Sequence, residues 1–166
     1  MENDFAAKLF SVFPILAMVL TPFLGLFLDK KGKGASMLLV GAIIMVVCHL
    51  SFAFLLPVVK SSALAVGLIL VLGVSFSLVP AALWPSVPKI IDEKVLGCAY
   101  GLIFWVQNIG LWGVPLLIGN VEKATGGYTV PMIIFASFGV IAFIISILLK
   151  AEDRKKGYGL ELPNIK

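Results

Sequence analysis

Five long apolar stretches divide the chain, running from about Phe5 to Leu28, Ala35 to Leu56, Ala63 to Trp84, Leu96 to Gly119 and Gly127 to Leu149. A helix rises about 1.5 Å per residue, so about 20 apolar residues cross about 30 Å of hydrocarbon, and each stretch reaches that length. Sixty per cent of the residues are hydrophobic and 13 per cent charged, which a soluble domain could adopt only by exposing large apolar patches. The expected fold is an all-α integral membrane bundle over residues 1–150, followed by a tail, 151–166, outside the bilayer. No room remains for a soluble domain.

The first stretch is too long for a signal-peptide core, follows Glu2 and Asp4, and lacks a small-residue cleavage site, so it is expected to stay in the mature protein. Basic residues set the topology. Lys30, Lys31, Lys33, Lys89, Lys94, Lys150, Arg154, Lys155, Lys156 and Lys166 fall on one side of the membrane and Lys8, Lys60 and Lys123 on the other. The positive-inside rule then puts the carboxyl terminus in the cytoplasm. The net charge of +4 is parcelled among loops on both faces and is no nucleic-acid signature. Cys48 and Cys98, both in or near spans, are expected to be packing residues, and a disulfide framework or metal cluster is not expected.

The loops are short and carry turn chemistry, at Pro57 to Ser62, Pro85 to Val95 and Asn120 to Gly126. The charge run from Glu152 to Lys156 reads as a solvated tail without a fold of its own. The second and fifth spans, nearly pure aliphatic and aromatic, suit helices with much lipid contact. The fourth carries Gly97, Gly101, Gly110 and Gly113, with Gly97 and Gly101 in the spacing that lets helix backbones approach, so it is expected to be a packing helix.

No Asp, Glu, Lys or Arg lies deep inside a span, which argues against a proton relay or fixed ion site within these helices. What remains is neutral and amphipathic. Trp105, Asn108 and Trp112 share one face of the fourth span near the midplane, with Gln107 on the adjacent face. Such amides either hydrogen-bond a neighbouring helix or line a watery cavity and orient a solute. Ser75, Ser77, Pro80 and Trp84 lie toward the cytoplasmic half of the third span; proline there bends a helix and frees a carbonyl. The indole of Trp84, at the end of the span, suits an aromatic belt at the membrane interface. In the first span Pro14 and Pro22 introduce bends, and Thr21 is placed to satisfy a freed carbonyl. His49, the only histidine, is either a pH-sensing group or a hydrogen-bonded packing residue. A nucleophile elbow is absent, because Gly73-Val74-Ser75-Phe76-Ser77 fails at its last position, and neither catalysis nor a cofactor is expected.

Gly25-Leu-Phe-Leu-Asp29-Lys30-Lys31-Gly32-Lys33-Gly34 joins the first two spans. It resembles the G-x-x-x-D-[RK]-x-G-[RK] loop of the major facilitator superfamily, in which Gly25, Asp29, Lys30, Gly32 and Lys33 would form a gating loop. The runs Phe76 to Pro85, Leu96 to Gly101 and Val106 to Leu111 are similar to the carboxyl-terminal half of the lysosomal dipeptide transporter branch, and the likeness covers about Ser11 to Leu149. The resemblance implies that the five spans match helices eight to twelve of a twelve-helix fold working by alternating access, with the third span on the cavity and Trp84 and Ser77, with Asn108, as candidates for the solute pathway. It implies a lysosomal membrane in a eukaryote and the inner membrane in a bacterium. Expected partners are a small solute, membrane lipid, an amino-terminal half or another copy, and a glycosylated accessory protein of the kind animal members use. The competing reading is a small self-associating membrane subunit without transport activity.

Overall fold

The computed structural model describes residues 3–165, with side chains from residue 12 onward. Its helices are α1 (Asn3–Lys31), α2 (Gly34–Leu50), α3 (Leu56–Val59), α4 (Ser62–Ile90), α5 (Leu96–Thr125) and α6 (Thr129–Lys156), with no strand among the described residues. A π turn over Ser51–Leu55 fuses α2 and α3 into one span of 26 residues. Five helical stretches are long and apolar enough to cross a membrane. The protein is an all-α integral membrane protein.

The helices overrun the apolar stretches, because a charged residue beyond the hydrocarbon does not stop a helix. Stops come instead where the backbone turns left-handed, at Gly126 (φ 66°) after α5 and Gly157 (φ 69°) after α6. Pro57 is not in a loop: it lies just after the π turn, inside the fused span.

Four helices pack side by side in the order α1, α4, α2, α6. A glycine marks each seam. A Cβ on Gly73 would stand 3.0 Å from Leu16 of α1, one on Gly41 would stand 3.3 Å from Val79 of α4, and one on Gly139 would stand 2.7 Å from Val46 of α2. Backbones therefore approach at these points as small residues allow. The buried centre is Leu28, Met37, Leu38, Leu78 and Ala82.

Two expectations about helix character are corrected. Despite its strongly apolar composition, α2 lies in the middle of the row, between α4 and α6, and is the most buried span. Conversely, α5 has no buried residue, and Gly97, Gly101, Gly110 and Gly113 have nothing within 4 Å of where a Cβ would stand. Within this chain α5 is not a packing helix. Composition counts apolar groups but does not say which ones meet protein.

The tail is also corrected, since it has a fixed place. After α6 the chain turns back across the α1–α2 turn, where Leu160 and Glu161 offer their carbonyl oxygens to the amides of Gly34 and Lys33 at 2.9 and 3.0 Å. Leu160 is 1% exposed. Thr21 departs from expectation as well: its hydroxyl donates to the Ala17 carbonyl at 2.7 Å, one residue short of the Met18 carbonyl that Pro22 leaves free.

Candidate functional site

Because α5 stands off from the row, a cavity of about 500 Å³ opens between α2, α4, α5 and α6. None of its lining residues is Asp, Glu, Lys or Arg; its polar members are His49, Ser75, Trp84, Gln107 and Ser146. Ser75 donates to the Gly41 carbonyl at 2.6 Å, tying α4 to α2, and Ser146 donates to Ala142 at 2.8 Å within α6. A second groove, about 630 Å³, runs between α5 and α6, and Gln107 borders both. The cavity can hold a solute by apolar and aromatic contact, with amide and imidazole groups to orient it.

Trp84 sits where α4 is punctuated by Pro80, Pro85 and Pro88. Its indole stacks on Phe104 of α5, ring centroids 4.9 Å apart and planes inclined by 24°, and lies 6.0 Å from the ring of Tyr100. This aromatic cluster is the main link between α4 and α5 at that level. At the far end of the cavity His49 is buried, with its Nδ1 donating to the Met45 carbonyl at 2.7 Å and its ring 5.3 Å from that of Phe135.

The other sequence candidates separate. Ser77 is fully buried and donates to the Gly73 carbonyl at 2.8 Å, while Ser75, two residues earlier, is the serine of α4 that borders the cavity. Asn108 donates to the Phe104 carbonyl of its own helix at 2.8 Å, and it is exposed, as are Trp105 and Trp112. The stripe they form is turned away from the cavity, and Gln107 alone of that group reaches it. A period of 3.6 residues placed these side chains relative to one another correctly. It could not say which face meets a neighbour.

At the basic end of the bundle, Gly25 has nothing within 4 Å of a built Cβ, Lys30 is exposed, and Gly32 (φ 71°) and Lys33 (φ 70°) make the α1–α2 turn with two successive left-handed residues. Asp29 accepts a hydrogen bond from Asn164 Nδ2 at 2.8 Å, and its carbonyl accepts one from the Ile165 amide at 3.1 Å. Asp29, Gly32, Lys33 and Gly34 thus meet the carboxyl-terminal segment. Among the described residues no group of three or more His, Cys, Asp or Glu side chains is placed to hold a metal ion.

No established family profile matches the chain, and no solved structure does. Curated proteins do. The lysosomal dipeptide transporter MFSD1 of Danio rerio is 32% identical over 154 residues, a stretch that covers 92% of this chain and 32% of the relative. The human protein of that name is 29% identical over 159 residues, and that of Gallus gallus 30% identical over 146. The chain resembles the lysosomal dipeptide transporter branch of the major facilitator superfamily. It spans about a third of the length of these relatives. Five spans in a third of a transporter agree with the match to helices eight to twelve of a major facilitator fold, and the aligned region takes in both the Asp29 loop and the Trp84 helix.

Proposed function

We propose that this chain forms one wall of the solute cavity in a larger major facilitator transporter that moves small organic solutes, dipeptides foremost. The relatives are named as dipeptide transporters, and the substrate class is carried over from them. The observation that supports this reading best is the position of Trp84, at once on the cavity lining, between Pro80 and Pro85 of α4, and stacked on the outlying helix α5. A bend lets part of a helix tilt while the rest stays packed, and an indole at the bend then carries a flat contact surface with it. In alternating access such a surface meets the solute from one side and then the other.

The cavity has no charge, so the groups that would hold the charged ends of a dipeptide belong to the remainder of the transporter. That remainder would also cover α5, whose exposed stripe of Trp105, Asn108 and Trp112 offers an amide between two indoles. The basic end, with Lys30, Lys31, Lys33 and the segment after Lys150, would face the cytoplasm. In a eukaryote the membrane would be the lysosomal one. In a bacterium it would be the inner membrane.

The test is uptake of a labelled dipeptide by proteoliposomes containing a full transporter built with this segment. Saturable uptake is expected. Absence of uptake, together with stable self-association of the 166-residue chain, would favour a non-transporting membrane subunit instead.

A further inference from the structure

The amino end of α2 has no cap of its own. Its first helical residue, Gly34, follows Lys33, whose side chain makes no capping bond, and the opening turn of a helix leaves several amides without intrahelical partners. These partners come from the other end of the chain. The Lys33 amide bonds the Glu161 carbonyl and the Gly34 amide bonds the Leu160 carbonyl. Glu161 Oε1 accepts from the Ser36 amide at 2.7 Å, and Oε2 from the Ser36 hydroxyl at 2.8 Å. A carboxylate at this place also meets the positive end of the α2 dipole.

The same segment reaches the neighbouring helices. Lys150 of α6 donates to Ser36 Oγ at 2.5 Å, with its Nζ 3.8 Å from Glu161 Oε2. Asp153 of α6 accepts from the Leu160 amide at 3.0 Å, and Lys89 of α4 donates to the carbonyls of Gly159 and Leu162, each at 3.0 Å. Asn164 and Ile165 close on Asp29 of α1. Gly32 leaves room for the crossing, since a Cβ there would overlap the backbone of Glu161 and Leu162.

We propose that residues 159–165 form a strap that serves as the amino-terminal cap of α2, ties the basic ends of α1, α2, α4 and α6 together, and holds the Asp29 loop in one conformation. Among the described residues, none of the strap's hydrogen bonds goes to α5. The carboxyl terminus thereby controls how freely the loop between α1 and α2 can move, whether or not the chain transports a solute.

Hydrogen exchange of the full chain in lipid nanodiscs, followed by mass spectrometry, tests this. Glu161→Ala and a chain ending at Gly157 should each speed exchange of the amides in residues 33–36 by about tenfold, leaving the centre of α4 unchanged. Glu161→Gln keeps one acceptor oxygen and should give a smaller increase. Unchanged exchange in residues 33–36 in both Glu161→Ala and the shortened chain would overturn the proposal, and so would an equal rise throughout the bundle. The readout needs no solute, so failure of the transport reading would leave it standing.

Discussion

The phenol of Tyr100 donates to the Trp84 carbonyl oxygen at 3.1 Å, and that carbonyl is the one Pro88 leaves without an amide partner. A proline inside a membrane helix is tolerated when another group satisfies the freed oxygen, and here the group comes from the next membrane helix. Tyr100→Phe should keep the ring contact 6.0 Å from Trp84 but remove the bond. We expect a loss of about 1 kcal/mol, read as a lower melting temperature in mild detergent. An unchanged melting temperature would show that water or lipid serves that carbonyl equally well.

The seams give a second expectation. Gly139→Ala places a Cβ 2.7 Å from Val46 Cγ2 and should destabilise the α2–α6 contact by about 1–3 kcal/mol. Gly101→Ala, with open space around it, should cost nothing in the same melt, and Ala's better helix propensity leans slightly the other way. Equal effects at the two positions would contradict the packing order.

This contrast also marks what could be read from the residues alone. Membrane spans and the turn at Gly32 follow from hydropathy and glycine, both of which act locally, whereas a cavity position for Trp84 is implied only by the family resemblance. Gly41, Gly73 and Gly139 have no G-x-x-x-G spacing around them, whereas Gly97 and Gly101 do, and only tertiary contact shows that the first set lies at the seams. Ser36 and Glu161 are 125 positions apart, and nothing in either neighbourhood announces a cap supplied across that distance. For Gln107 and Asn108 the helix period fixed their separation around the axis, but the direction of the cavity was set by how α5 meets α6.

Asp29 supplies a third expectation. Its bond to Asn164 is exposed, so Asp29→Asn should alter the melt by less than about 1 kcal/mol. In a complete transporter, where the loop is proposed to act as a gate, the loss of charge should shift the balance between conformations. Engineered cysteines on the two faces would report this as opposite changes in labelling rate, and unchanged labelling on both faces would count against a gating role.

Contact between the α1–α2 turn and the carboxyl-terminal segment places residues 30–34 and 159–165 at one end of the bundle. By the positive-inside rule we propose that this end faces the cytoplasm. Tags inserted in the turn and at the carboxyl terminus should therefore be protected together in sealed vesicles of cytoplasm-in orientation and digested together in inverted ones. Opposite protection of the two tags would refute the arrangement of the helices.

The central claim is that the cavity beside Trp84 is a solute pathway, and it is tested most directly by dipeptide uptake in a full transporter carrying Trp84→Ala, compared with Trp112→Ala at matched membrane insertion. Trp84 borders the cavity, while Trp112 is 73% exposed on the outer face of α5 and does not. Replacing the lining indole should raise the half-saturating dipeptide concentration or lower the turnover by about tenfold or more, as removal of a large aromatic contact does, and Trp112→Ala should change them far less. Wild-type kinetics for Trp84→Ala at matched insertion would contradict the account.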